Sequence, residues 1–85
     1  MTRRAISLRT AILTVLANLP SGYLLPDDLL RTDASRLVAP RPTTAELDQQ
    51  IREADISRQI TGVPSDEGTK WGLSDVGRAW LAEHP

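Results

Sequence analysis

TGVPSDEGTKWGLSDVGRAWLAE, residues 61–83, is the stretch of the sequence that decides the fold. Together with the two residues before it, it contains two segments of strand length, 59–63 and 70–73. Residues 64–69 between them are polar and rich in Pro, Ser, Asp and Gly, a composition typical of a hairpin loop. We therefore predict a two-stranded β-hairpin.

A helix is predicted to follow this hairpin at once. Ser74 is a suitable N-cap, and Val76 and Trp80 share one helical face. Gly77 lies between them, and its missing side chain would let the helix approach the hairpin closely. We expect the hairpin and the final helix to pack as one unit, with Trp71 and Trp80 buried and close together.

The composition indicates one small domain, residues 1–85, stabilised by packing. The chain has 85 residues, of which 40% are hydrophobic and only 4% aromatic, so its core is expected to be mainly Leu, Ile, Val and Ala. It has no cysteine, which excludes disulfides and thiolate metal ligands.

The charge is distributed unevenly along the chain. Six arginines and three aspartates give residues 1–45 a net charge of +3, whereas four basic and eight acidic residues give residues 46–85 a net charge of −4. The overall charge of −1 argues against a cationic field around the whole molecule. An anionic partner is expected to prefer the first half.

The N-terminal segment has two arginines before an apolar stretch, as secretory signals do. However, Arg9, Thr14 and Asn18 interrupt the stretch, which is also too short and too polar to span a bilayer. We predict a helix of a cytoplasmic protein without membrane association, preceded by a flexible basic arm of residues 1–5.

The first helix is predicted to be amphipathic. Its apolar side chains recur at helical spacing on one face, namely Leu8, Ile12, Val15, Leu16 and Leu19. A second, narrower stripe consists of Ile6 and Leu13. Either a later helix of the same chain covers this stripe or it forms a homodimer contact, and we favour the first interpretation.

A short strand and a second helix are predicted next. Residues 23–25 would form one edge of a small sheet, and Pro26 would be the first residue of the helix, followed by two aspartates that suit its N-terminus. Leu29, Leu30 and Leu37 are its expected apolar residues.

The third helix has the clearest start signal. Thr43 and Glu46 have the spacing of a capping box. The helix is predicted to end near Asp55, because Ile56 would otherwise point to solvent. Its buried arc would contain Leu47, Ile51 and Ala54, and its opposite face Ala45, Gln49, Arg52 and Glu53.

Catalysis has little support in the sequence. His84 is the only histidine, and its terminal position predicts a frayed, solvated side chain. The chain therefore lacks the residues for a thiol nucleophile, a multi-histidine metal site or a Ser-His-Asp relay. Asp27 and Asp28 are better explained by the helix dipole than as paired catalytic carboxylates. We expect no enzyme activity, metal or cofactor.

The order helix, strand, helix, helix, hairpin, helix resembles that of the winged-helix (winged helix-turn-helix) domain. Residues 71–78, WGLSDVGR, resemble the segment that closes the wing in many bacterial winged-helix regulators, and residues 16–24 resemble their passage from first helix to edge strand. The family usually has Gly before the first wing strand, where this chain has Arg58 and Gln59. The resemblance implies an α+β fold with a three-helix core, a short edge strand, a two-stranded wing and a C-terminal helix.

This resemblance also implies duplex DNA binding, as in a transcriptional regulator. In the family the third helix, here about 44–55, enters the major groove and the wing, here about 59–73, contacts the backbone. The implied base contacts are Gln49 and Arg52, and the implied phosphate contacts are Arg41, Thr43, Thr44, Ser65 and Lys70.

An alternative function is protein binding. The third helix is net acidic, with Glu46, Asp48 and Glu53 among its residues, and acidic residues also outnumber Lys70 in the wing. Such a balance would weaken the counterion release that drives DNA binding. The domain would then be an adaptor or assembly module for a basic partner, or an accessory protein of a phage or mobile element.

Overall fold

The protein is a small α+β domain with four helices and a three-stranded antiparallel sheet, seen in a computed structural model that describes residues 1–84. In chain order the elements are α1 (Arg3–Ala17), β1 (Leu25–Pro26), α2 (Asp27–Ser35), α3 (Thr44–Ile56), β2 (Ile60–Ser65), β3 (Gly68–Leu73) and α4 (Asp75–Glu83). The sheet order is β1-β3-β2, so β3 is central. The predicted α+β class is confirmed.

The core forms around α1, which packs against α2, α3, α4 and β3. Its largest fully buried side chains are Leu8, Ile12, Leu13 and Leu30. The predicted face of α1 is confirmed for Leu8, Ile12 and Leu16, whereas Val15 and Leu19 are half-buried at its edge. Leu13 is 0% exposed, so the chain itself covers it and a dimer contact through Leu13 is wrong.

The start of α1 differs from the prediction of a flexible arm. Thr2 is the N-cap, and its Oγ1 accepts a hydrogen bond of 3.0 Å from the backbone N–H of Ala5. Arg3, Arg4 and Ala5 therefore belong to the helix. No helix within residues 1–84 combines the length and the apolar character needed to cross a membrane.

The edge strand and α2 are shifted relative to the prediction. β1 pairs Leu25 with Trp71 and Pro26 with Lys70, so Pro26 belongs to the strand and precedes α2 as its N-cap. The buried face of α2 comprises Leu30, Ala34 and Ser35. Leu29 and Leu37 are exposed, contrary to the prediction, because the helix ends at Ser35 and buries a narrower face.

The hairpin is tighter than predicted. β2 and β3 pair from Ile60–Leu73 to Ser65–Gly68, which leaves only residues 66 and 67 as the turn. Gly68 has a φ of +97°, a conformation that glycine adopts without strain. Pro64 lies within β2 and is tolerated because β2 is an edge strand.

The backbone is left-handed before β2. Arg58 has a φ of +60°, at the place where the resembled family has glycine. A side chain in this region is strained relative to glycine.

α4 packs on α1 and approaches the hairpin at its base, around Gln59 and Leu73, so the predicted packing of this helix on the hairpin is confirmed only there. Ser74 caps it, since its Oγ accepts a 3.1 Å hydrogen bond from the N–H of Gly77. A Cβ built on Gly77 would lie only 2.3 Å from the carbonyl oxygen of Gln59, so only glycine allows this approach. Val76 is 51% exposed and does not share the packing of Trp80.

The two tryptophans have different partners: Trp71 is buried and Trp80 half-buried, and they form no aromatic pair with each other. The indole Nε1 of Trp71 donates to Oδ1 of Asp27 at 2.9 Å, which joins β3 to α2. Trp80 stacks on His84, with ring centroids 3.8 Å apart. The Nδ1 atom of His84 lies 2.8 Å from the carbonyl oxygen of Trp80, and because a carbonyl only accepts, this nitrogen carries the proton. The prediction of a frayed His84 is therefore wrong.

Candidate functional site

The N-terminus of α3 is fixed by the predicted capping box. Oγ1 of Thr43 accepts from the N–H of Glu46 at 3.1 Å, and the Glu46 carboxylate accepts from the N–H of Thr43 at 3.0 Å. The helix ends at Ile56, one residue beyond the predicted end. Its buried arc contains the predicted Leu47, Ile51 and Ala54 and also Gln50.

The opposite face of α3 points away from the core. Its centre is a stripe at i, i+4, i+7 and i+11 spacing, which we call the outward stripe: Ala45, Gln49, Arg52 and Ile56. All four residues are exposed, and Ile56 is 73% exposed. Of the predicted outward residues, Glu53 lies at the border instead and is half-buried.

Four acidic side chains border the outward stripe. Three of them bind an arginine of another helix, whereas the exposed Asp55 is in no ion pair within residues 1–84. On the side of α1, Glu46 binds Arg4 at 3.0 Å and Glu53 binds Arg9 at 3.1 Å. On the side of α2, Asp48 binds Arg31 at 2.6 Å, and the same guanidinium binds Asp27 at 2.8 Å. The three paired acids hold α3 between α1 and α2.

The ion pairs change the charge that the outward stripe presents. Spacing along α3 would allow Asp48 to pair with Arg52 at i+4. In the structure Asp48 binds Arg31 instead, and within residues 1–84 no carboxylate lies within ion-pair distance of Arg52. Arg52 therefore forms no ion pair, and the acidic count of α3 overstates the repulsion at its outward stripe, where Asp55 is the one bordering acid without an arginine partner.

The most strongly perturbed carboxyl of the site is that of Glu46. The hydrogen bond from Arg4 and then the bond from the Thr43 backbone lower the pKa of Glu46 to about 2. Glu46 is therefore charged at all physiological pH values. Its carboxylate lies at the N-terminus of α3 and disfavours a phosphate at that position.

A buried arginine, Arg9, lies between α1 and α3. Arg9 is 4% exposed, and its three guanidinium nitrogens donate to Gln50 at 3.1 Å, to Gln59 at 2.8 Å and to Glu53 at 3.1 Å. Burial lowers the pKa of Arg9, while the nearby Glu53 opposes that shift. This network joins α1, α3 and the start of β2. The sequence prediction did not include this network, although Arg9, the one charged residue within the apolar part of α1, is a signal of such a role.

The other predicted site residues are only partly available. Arg41 and Thr44 are exposed before and at the first turn of α3, but the oxygen of Thr43 is engaged in the cap. The hydroxyl of Ser65 donates to the carbonyl of Gly68 within the turn, so it has no hydrogen left for a phosphate.

Lys70 lies on the sheet face opposite Trp71, because successive side chains alternate along β3. Of the predicted DNA contacts, Gln49 and Arg52 lie together on the outward stripe. In the hairpin, only Lys70 remains available for a phosphate.

The comparisons with known proteins found no relative. No protein-family model matches the chain, and neither the search of curated proteins nor the search of solved structures gave a match. Within residues 1–84, no three His, Asp or Glu side chains are arranged to hold a metal ion.

Proposed function

We propose that this protein is a winged-helix module that binds duplex DNA through the outward stripe of α3, as a cytoplasmic transcriptional regulator without enzyme activity. The element order and the β1-β3-β2 sheet, with the β2–β3 hairpin as the wing, support this proposal. A major groove about 12 Å wide admits a helix whose outward side chains can reach base edges.

One observation carries the proposal: Arg52 is exposed and in no ion pair, while three of the four acids around it are bound to arginines of α1 and α2. Arginine suits guanine in the major groove, and Gln49, three residues earlier on the same stripe, suits adenine. Because three of these acids, Glu46, Asp48 and Glu53, are held by other helices, they are directed away from the centre of the stripe.

The phosphate contacts come from the flanks of this stripe. Arg41 lies on one side, before the first turn of α3, and Lys70 supplies the only positive side chain of the hairpin. The hairpin turn carries Asp66 and Glu67, which repel phosphates. We therefore propose that α3 contributes most of the affinity and that the hairpin contributes little.

The test is an anisotropy titration of a labelled duplex with the parent chain and three variants. Arg52→Ala should weaken a selected preferred site by about 1–3 kcal/mol and change binding to random duplex little. Arg41→Ala should weaken all duplexes alike and reduce the salt slope by about one. Arg78→Ala, an exposed cation of α4, is the matched control and should change neither.

The proposal is refuted if Arg52→Ala and Arg78→Ala weaken the preferred site equally. It is also refuted if the parent chain binds no duplex at low salt. A similar loss of affinity in every arginine variant would indicate a diffuse electrostatic contact and not base recognition by α3.

A second candidate function is binding of a protein partner through the same stripe. Ile56 is 73% exposed at the end of the outward stripe, and a large exposed apolar side chain suits the centre of a protein–protein contact. The unpaired acids of the turn, Asp66 and Glu67, would then meet a basic partner. Ile56→Ser separates the two functions, because it should leave DNA binding intact and reduce the affinity for a protein partner.

A further inference from the structure

The outward face of α1 lacks charge over an unusual length. From Ala5 to Pro26 the only charged side chain is Arg9, which is buried, although 25% of the chain is charged. The side chains that this face presents are short and polar: Ser7, Thr10, Thr14 and Asn18. It lies about a quarter-turn around α1 from Arg4 and Leu8, which face α3.

Leu37 is an exposed apolar side chain that protrudes beside this face. It follows the end of α2 and is 59% exposed. An open cleft of about 510 Å³ lies on one side of it, lined by residues including Ile6, Thr10 and Thr14. A second cleft of about 400 Å³ lies on the other side, lined by Val15, Leu19 and the Asp33–Arg36 pair among others.

We propose that two copies of this chain associate through this surface, with Leu37 of each copy seated in the cleft beside α1 of the other. In a two-fold dimer the same surface of both copies is in contact, so this surface must contain both a protruding group and a cleft that fits it. Leu37 and the cleft of Ile6, Thr10 and Thr14 meet this requirement.

The charge of the surface favours a second copy as the occupant. Identical copies repel through any face with net charge, and the centre of this face has none. At its edge Asp33 and Arg36 lie 3.6 Å apart, so opposite charges can pair across a two-fold axis. Because α3 packs on a different side of α1 and its outward stripe points away from the core, both outward stripes stay accessible, and the dimer does not depend on what those stripes bind.

The size of the surface sets the strength of the dimer. α1 has 15 residues, which makes the face about 22 Å long. A face of this length and of similar width offers on the order of 500 Å² per copy, below the about 800 Å² of a standard stable interface. We therefore place the dimer in the weak, concentration-dependent class.

The test is sedimentation velocity of the whole chain over a wide concentration range. The parent chain should change from one to two copies per particle at high micromolar concentration. Leu37→Asp should weaken this dimer by at least about tenfold, and so should Ser7→Arg, which places a charge on the same face from α1. Ile56→Asp is the matched control, because it puts the same charge at a more exposed apolar site on α3 and should leave the dimer unchanged. Circular dichroism shows whether each variant is folded.

Three results would overturn the dimer. One is a parent chain that stays monomeric at every concentration. Another is a dimer that both face variants leave intact while folded. The last is a dimer that Ile56→Asp disrupts more than the face variants do, which would place the contact on α3.

Discussion

Replacement of Arg9 by Met is expected to destabilise the domain strongly, because Arg9 holds three elements together from a buried position. The change leaves the amide oxygens of Gln50 and Gln59 without their donor, and these residues are only 5% and 6% exposed. A buried polar group without a partner costs about 1–3 kcal/mol, and breaking a buried charged network costs about 3–5 kcal/mol. Met fills most of the vacated volume, so little of the loss comes from a cavity.

We expect Arg9→Met to lower the free energy of unfolding by about 3–5 kcal/mol, which in a domain of this size lowers the melting temperature by more than about 12 °C. Urea and thermal unfolding, followed by circular dichroism, measure both quantities. Arg4→Met is the matched control, since it removes an arginine of the same helix whose pair with Glu46 is half-exposed, and it should have a much smaller effect. Equal stability of Arg9→Met and the parent chain would refute the structural role of the network.

Three further predictions concern the backbone and the pH dependence. Gly77→Ala should lower the free energy of unfolding by about 2 kcal/mol, because the clash with the Gln59 carbonyl exceeds the gain of about 1 kcal/mol in helix propensity. Ala79→Gly, at an exposed site of the same helix, is the control that measures the helix-propensity contribution alone. Arg58→Gly should stabilise by about 1 kcal/mol by relieving the left-handed conformation, and a loss of stability in urea unfolding would contradict this. Since the pKa of Glu46 is lowered from 4.5 to about 2, its stabilising contribution is complete above pH 4.5 and is lost as the pH falls towards 2. Glu46→Gln should therefore flatten the curve of stability against pH between these two values. An unchanged curve would contradict the assignment.

Local signals predicted the elements of this fold well. The capping box at Thr43 and the Ser74 cap each depend on neighbouring residues, and the structure has both. Helical spacing likewise gave the buried arc of α3. The errors at element ends, such as the hairpin turn and Pro26, are register shifts of one or two residues that only strand pairing fixes.

The candidate site was less predictable because its electrostatics are long-range in the sequence. Arg4 and Glu46 are 42 residues apart, and Arg9 and Glu53 are 44 apart, so no local pattern pairs them. The different partners of Trp71 and Trp80 and the burial of Leu13 have the same origin, since both depend on how the helices pack. Charge counts along one helix therefore misjudge the surface that the folded helix presents.

The most direct test of the central claim is NMR shift mapping of the labelled chain with an unlabelled random duplex at low salt and at about 100 mM salt, where the Debye length is about 10 Å. We predict that the shifts concentrate on the outward stripe, at Gln49 and Arg52, extend to Arg41 and Thr44, and persist at the higher salt. Shifts confined to Arg3 and its neighbours in α1, or no shifts at the higher salt, would contradict the claim that α3 binds DNA.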